Sequence, residues 1–228
     1  MILSSKYKMY FFDLDHMILD FERSEVESLL ELFKARDIDL SEEQVRSYQS
    51  INSKWWGYLE KGTRNKEEVV VGRFREYCDS IDVSFDPEEL NDEYLTRLSR
   101  KAYFLPGARE FLTTLRRQGK RMAIITNGVY RVQHNRFLSA GLPEFFEFSL
   151  SSEEAGVAKP DPGIFHEAIR RAGVQRNEVV YIGDSLESDY RGAENAGIDF
   201  IWFGKHVRRN KGPVNIARNY DELLMLLV

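Results

Sequence analysis

Residues 10–15 read Tyr10-Phe11-Phe12-Asp13-Leu14-Asp15. Three aromatics in a row favour extended structure, and the apolar run stops abruptly at two acids. Tyr7 to Leu14 is therefore read as a strand whose C-terminal edge carries Asp13 and Asp15. In extended chain, residues two apart face the same side, so both carboxylates point toward one place. There they repel each other unless a cation or a shared proton intervenes.

The same kind of segment recurs downstream. From about Tyr103 the pattern alternates: helix Ala108 to Gln118, strand Arg121 to Thr126, helix Tyr130 to Ala140, and a short strand near Phe146 to Ser149. Helix Asp161 to Ala172, strand Glu178 to Ile182, helix Ser188 to Ala196 and strand Asp199 to Phe203 follow. Short, almost wholly apolar strands such as Val179-Val-Tyr-Ile suit a parallel sheet covered on both faces. The expected fold class is α/β, a doubly wound Rossmann-like parallel sheet, which binds ligands beyond the carboxyl ends of its strands. Between Phe21 and Leu98 no strand is legible. Helix-spaced Val26, Leu29, Leu30 and Phe33, and a helix-start signal at Ser41-Glu-Glu-Gln, mark an inserted helical domain. The expected boundaries are residues 1–18 and 103–228 for the core and 19–102 for the insert. Leu105-Pro106-Gly107 marks the return.

Three further elements carry chemistry. Thr126-Asn127-Gly128 follows a strand and offers a hydroxyl, an amide and the N–H groups of a glycine turn to an anion. Lys159 is stiffened by Pro160 and Pro162 just before a helix, a point charge suited to a phosphate oxygen or a carboxylate. Gly183-Asp184-Ser185-Leu-Glu-Ser-Asp189 puts more acids at a strand end. Each is weak evidence alone, because loop acids are commonly solvated or cap helices. Paired acids such as Asp13 and Asp15 invite Mg²⁺.

Taken in order, Asp13-Leu-Asp15, Thr126-Asn-Gly, Lys159-Pro and Gly183-Asp184 with Asp189 resemble the four motifs of the haloacid dehalogenase superfamily, and the insert resembles its cap. The resemblance implies a Mg²⁺-dependent phosphatase. Asp13 would be the nucleophile and Asp15 the general acid and base. Thr126, Asn127 and Lys159 would bind the phosphoryl group. The metal would be held by Asp13, the backbone carbonyl of Asp15 and Asp184, with Asp189 beside or behind them.

Further strings, including Ile51-Asn52 ahead of Trp55, Thr126 through Gln133-His134-Asn-Arg136, and Lys159-Pro-Asp-Pro-Gly-Ile-Phe, resemble the bacterial pyrimidine 5'-nucleotidase branch. The implied substrate is a nucleoside monophosphate. Trp55 and Arg73 are candidate contacts from the insert, against the plainer readings that Trp55 packs within the insert and that Arg73 lies on a solvated helix face. His134 and His16 are expected to take no part in the chemistry. One position departs from the family pattern: Met17 stands where threonine or valine is usual, and a thioether cannot donate the hydrogen bond a threonine could use to orient Asp15. The alternatives are a phosphatase or phosphomutase for sugar phosphates or phosphoglycolate, a 2-haloacid dehalogenase, and a non-catalytic binding protein with the same fold.

The remaining composition sets limits. The 228 residues carry a net charge of -5, with 43% hydrophobic and 30% charged residues. The one basic run, Lys205 to Lys211, is interrupted, so no polymeric nucleic acid is expected as partner. Apolar stretches fall far short of the ~20 residues that span a bilayer, and the residues at the N-terminus lead one to expect no export signal. A single cysteine, Cys78, forms no internal disulfide. A cytoplasmic enzyme acting as monomer or homodimer is expected.

Overall fold

The structure is a computed structural model that describes residues 6–204 and 215–227. The basic run at Lys205 to Lys211 lies outside the described residues. The chain forms two compact units, Met1–Phe21 with Ala102–Val228, and Glu22–Lys101.

The first unit holds a six-stranded parallel sheet in the order β3-β2-β1-β4-β5-β6. Its strands are β1 (Met9–Phe12), β2 (Met122–Thr126), β3 (Ser149–Ser151), β4 (Val179–Gly183), β5 (Asp199–Phe203) and β6 (Asn215–Ala217). The period of two in β1 sorts side chains onto two faces. Tyr10 and Phe12 join Ile124, Val180 and Ile182 in one apolar layer, beneath Phe111, Leu112 and Leu115. Met9 and Phe11 join Ala123, Ile125, Val179 and Tyr181 in the other, beneath Ile164, Phe165 and Ala168. All four β1 residues are fully buried, as a central strand covered by helices on both faces requires. The neighbours of β1 are β2 and β4, with Phe12 in register with Ile124 and Ile182. That sets the ends of three strands, and whatever follows them, side by side at the reversal of strand order.

Two departures from the expected elements have physical reasons. The third strand begins at Ser149 instead of Phe146, because a helical turn at Leu142–Glu144 carries on into Phe145 and Phe146, whose amides both donate to the Leu142 carbonyl while their rings pack into the core. A C-terminal strand and helix, β6 and the helix Tyr220–Leu227, were not anticipated. Leu223 to Val228 is an apolar run too short to cross a membrane; Leu223 and Leu227 are buried, and Tyr220 donates its hydroxyl to the Met17 carbonyl at 2.7 Å. No helix among the described residues is long and apolar enough to cross a membrane.

The second unit is built from α1 (Phe21–Lys34, whose first residue belongs to the first unit), α2 (Glu42–Glu60), α3 (Lys66–Ser80) and α4 (Pro87–Leu98). Ser41 with Gln44, and Asn65 with Glu68, form reciprocal capping boxes that satisfy the exposed N–H groups at the starts of α2 and α3. Asp86 caps α4, with Pro87 at its first position. In its interior lies Arg73, only 1% exposed. Its guanidinium donates to Asn52 at 2.8 Å, to Asn91 at 3.1 Å and to the Val70 carbonyl at 3.2 Å, and it packs against the rings of Phe74 and Tyr94. Asn52 in turn donates to Glu25 at 2.6 Å.

Removing a buried charge partner strands the rest of its network. Arg73→Met is therefore expected to lower Tm by roughly 5–10 °C while leaving KM unchanged, as thermal melts and steady-state kinetics will show.

Candidate active site

The amide of Asp13 continues the ladder of β1 by donating to the Ile182 carbonyl at 2.9 Å, so its side chain emerges where the sheet ends. Asp15 follows, and the chain turns sharply at His16, whose φ of 58° lies in the left-handed region. His16 sets its ring edge-on to Phe21. Asp13 is only 9% exposed, and one of its carboxylate oxygens accepts from Lys159 Nζ at 2.6 Å.

Lys159 is the centre of the arrangement. It is 2% exposed, and its Nζ also lies 2.7 Å from Asp189 Oδ1, 2.8 Å from the Tyr181 hydroxyl oxygen and 3.3 Å from the Ile125 carbonyl. Burial opposes its charge, but Asp13 and Asp189 outweigh that and hold the ammonium above the ordinary lysine range. Its segment is fixed by Asn127, whose amide donates to the Lys159 carbonyl at 2.9 Å and accepts from the Lys159 N–H at 2.8 Å. The Asn127 side chain, expected at the phosphate, is thus committed at both ends to placing Lys159.

Thr126 ends β2 and is buried. Its Oγ1 accepts from the Gly128 N–H at 3.1 Å and from Gln133 Nε2 at 3.0 Å. A hydroxyl has two acceptor positions and one proton. With both positions filled, the proton is the part of Thr126 left for an incoming oxygen.

After β4 the chain runs Gly183-Asp184-Ser185 into a single π-helical turn, Leu186–Tyr190, a form that recurs at functional sites. The Asp184 backbone is anchored by Trp202, whose indole donates to its carbonyl at 2.9 Å. Asp189 folds back over Gly183: a Cβ there would come within 2.2 Å of Asp189 Oδ2. Only glycine leaves that room. Asp189 is 1% exposed, and both its oxygens are engaged, one by Lys159 and Tyr181 and the other by the Ser185 N–H at 3.1 Å.

Asp13, Asp184 and Asp189 each bring a carboxylate oxygen to within 4.8 Å of the others. Burial, and then its neighbours Asp189 and Asp184 against the pull of Lys159, push Asp13 up to about 8. Burial and Asp189 push Asp184 up to about 7. Three carboxylates facing a single ammonium leave an excess of negative charge, and hard oxygen donors in that number suit a divalent cation. Since Asp189 is held on both oxygens, Asp13 and Asp184 offer the freer ligand atoms.

Three participants escaped the sequence reading: Tyr181, and the pair Gln133 and Arg136 on the helix Tyr130–Ser139, both of which donate to Asp15. His134, between them, faces outward and stacks on Tyr130. Of the candidates from the insert, Arg73 points into that unit's interior, since its polar partners and aromatic neighbours all lie there. Trp55 is half-buried. It donates to Glu76 at 3.0 Å, its ring lies on Gly72, and it lines a cleft of about 240 Å³ with Arg64, Glu68, Val71 and Arg75.

A parallel sheet with acids after β1 and β4, a hydroxyl on the last residue of β2 and a buried lysine between them defines a class of hydrolase. The family model for haloacid dehalogenase-like hydrolases matches residues 10–203, and the chain belongs to that family. Pyrimidine 5'-nucleotidase YjjG of Escherichia coli is 32% identical over 213 residues, 93% of this chain and 92% of that one. Pyrimidine 5'-nucleotidase PynA of Streptococcus pneumoniae is 32% identical over 223 residues, 96% and 94% of the two chains. The crystal structure of the HAD-hydrolase YfnB from Bacillus subtilis, bound to magnesium, superposes with a TM-score of 0.91 at 30% identity, covering 97% of this chain and 99% of that one.

Proposed function

We propose that this enzyme is a Mg²⁺-dependent phosphomonoesterase acting on nucleoside 5'-monophosphates. The observation that carries the proposal is the buried set Asp13, Lys159 and Asp189 with the half-buried Asp184, and the Thr126 hydroxyl at the end of the strand next to Asp13. An oxygen of Asp13 bonds to phosphorus as the ester P–O bond breaks. The departing alkoxide takes its electron pair and receives a proton from Asp15. Water then attacks the aspartyl phosphate and gives a proton back to Asp15, and the bond from phosphorus to Asp13 breaks, releasing phosphate. Lys159 and the Thr126 proton offset charge on the phosphoryl oxygens, and Asn127 keeps Lys159 in place. Asp13, Asp184 and the Asp15 backbone carbonyl would hold Mg²⁺, with Asp189 behind them, and the ion supplies positive charge between an anionic nucleophile and an anionic substrate.

The relatives' names support pyrimidine nucleoside monophosphates as the preferred esters. The test is phosphate release, with and without Mg²⁺, from nucleoside monophosphates, sugar phosphates and phosphoglycolate. Pyrimidine monophosphates are expected among the better substrates, with activity lost in chelator. Turnover confined to sugar phosphates or phosphoglycolate would remove the nucleotide part. Chloride release from 2-haloacids without metal would remove the phosphatase itself. Within the helical unit the half-buried Trp55 is a candidate to stack on a base. Trp55→Ala is expected to raise KM for uridine 5'-monophosphate about tenfold, with kcat changed less.

A further inference from the structure

Asp15 receives a hydrogen bond on each of its carboxylate oxygens, and both donors come from one helix. Gln133 Nε2 lies 2.6 Å from Asp15 Oδ2 and 3.0 Å from Thr126 Oγ1. Arg136 Nη1 lies 2.6 Å from Asp15 Oδ1 and 2.9 Å from Gln133 Oε1. Gln133 is 4% exposed and Arg136 0%. Exposed ion pairs come and go with side-chain motion and contribute little. A guanidinium enclosed this completely stays where packing holds it, and its partner stays with it.

The loop that carries Asp15 supplies no such support from position 17. Met17 is wholly buried in the apolar layer, where a threonine would have offered a hydroxyl. Gly128 makes room for the arrangement: a Cβ there would come within 2.3 Å of Gln133 Nε2. Its φ is outside the left-handed range, so what the missing side chain provides is space for the amide.

We propose that Gln133 and Arg136 are positioning residues. They fix the plane of the Asp15 carboxyl, and through Gln133 they tie it to Thr126, so that the proton carrier and the group gripping the phosphoryl oxygens keep one spacing. Each carboxyl oxygen has a second lone pair, so it can carry the transferred proton while still accepting its hydrogen bond. The inference rests on the proton role proposed above for Asp15.

Two substrates separate positioning of a proton carrier from general damage. Uridine 5'-monophosphate, or the best alkyl phosphomonoester from the substrate screen, must expel an alkoxide that needs a proton. p-Nitrophenyl phosphate expels a phenolate that does not, and its initial burst reports phosphorylation of Asp13 alone. Both are measured in Asp15→Asn, Gln133→Met, Arg136→Met and Gly128→Ala. Alkyl ester turnover is expected to fall about 100- to 1000-fold in Asp15→Asn and about 10- to 100-fold in the Gln133 and Arg136 variants, with the aryl burst reduced at least about tenfold less. Gly128→Ala, which alters neither donor, is expected to show the same selectivity at smaller size. Should Arg136→Met fail to fold, Gln133→Met and Gly128→Ala carry the test with Arg136 in place. A selective Asp15→Asn beside variants that lose both substrates equally, or lose neither, would overturn the positioning role alone. An Asp15→Asn that treats both substrates alike would overturn the proton role and the positioning role with it.

Discussion

Asp13→Asn is expected to lower phosphate release by roughly 10⁴-fold or more while making the metal-free protein more stable at neutral pH. The loss follows because an amide oxygen cannot form the covalent intermediate, and neither Asp189 nor Asp15 is free to take its place. Asp189 is held on both oxygens, and Asp15 is held by Gln133 and Arg136. The gain follows from charge. Burial pushes Asp13 up to about 8, whereas in the unfolded chain it titrates near the ordinary value of about 4. Between those values the folded protein retains a proton that the unfolded chain has lost, so stability falls as pH rises through the window, by up to about 1.4 kcal/mol per pH unit. Asparagine has no proton to lose. In chelator, the melting temperature of Asp13→Asn should decline less with pH from about 5 to 8 than that of the wild type. Parallel curves would mean that the carboxylate is not the strained group.

Lys159→Met is the second large change, and here activity and stability fall together. The lysine touches both Asp13 and Asp189. Without it two buried carboxylates face each other, and breaking a buried ion pair from one side costs about 3–5 kcal/mol. Turnover should fall roughly 10³-fold or more, because the charge that offsets the phosphoryl oxygens has gone. The pH dependence also has a definite sign. The lysine pulls Asp13 down, so its removal pushes Asp13 further up. The decline of metal-free stability with pH should therefore extend above about pH 8, whereas in Asp13→Asn it is curtailed. Melting curves for the two variants, run side by side in chelator, give the comparison.

The sheet was readable because strands buried on both faces must be apolar throughout, so an acid directly after one stands out. Asp13 and Asp184 announce themselves in this way, and Thr126 does so as the hydroxyl that closes an apolar strand. Gln133 and Arg136 do not, since a glutamine and an arginine three apart on a helix look like a solvated face, and only packing beside Val132 and Phe137 reveals that they point inward. Arg73 misled for the same reason: charge on a helix suggests a surface, but two asparagines and two aromatic rings make an interior that accepts it. Tyr181 was hidden inside an apolar run, where its hydroxyl carries no signal. Asn127 stood in the right segment, but sequence could not show that its amide would pair with backbone 32 residues away.

Every side chain proposed to touch phosphorus, the transferred proton or the metal comes from residues 13–15 and 126–189. The four-helix segment between Glu22 and Lys101 supplies none of them. On the role proposed for Trp55, reactivity and selectivity are written in separate stretches of the gene. Substitutions that retune which ester is accepted can accumulate in one without rebuilding the catalyst in the other, and a library confined to residues 22–101 is the economical place to look for new substrates.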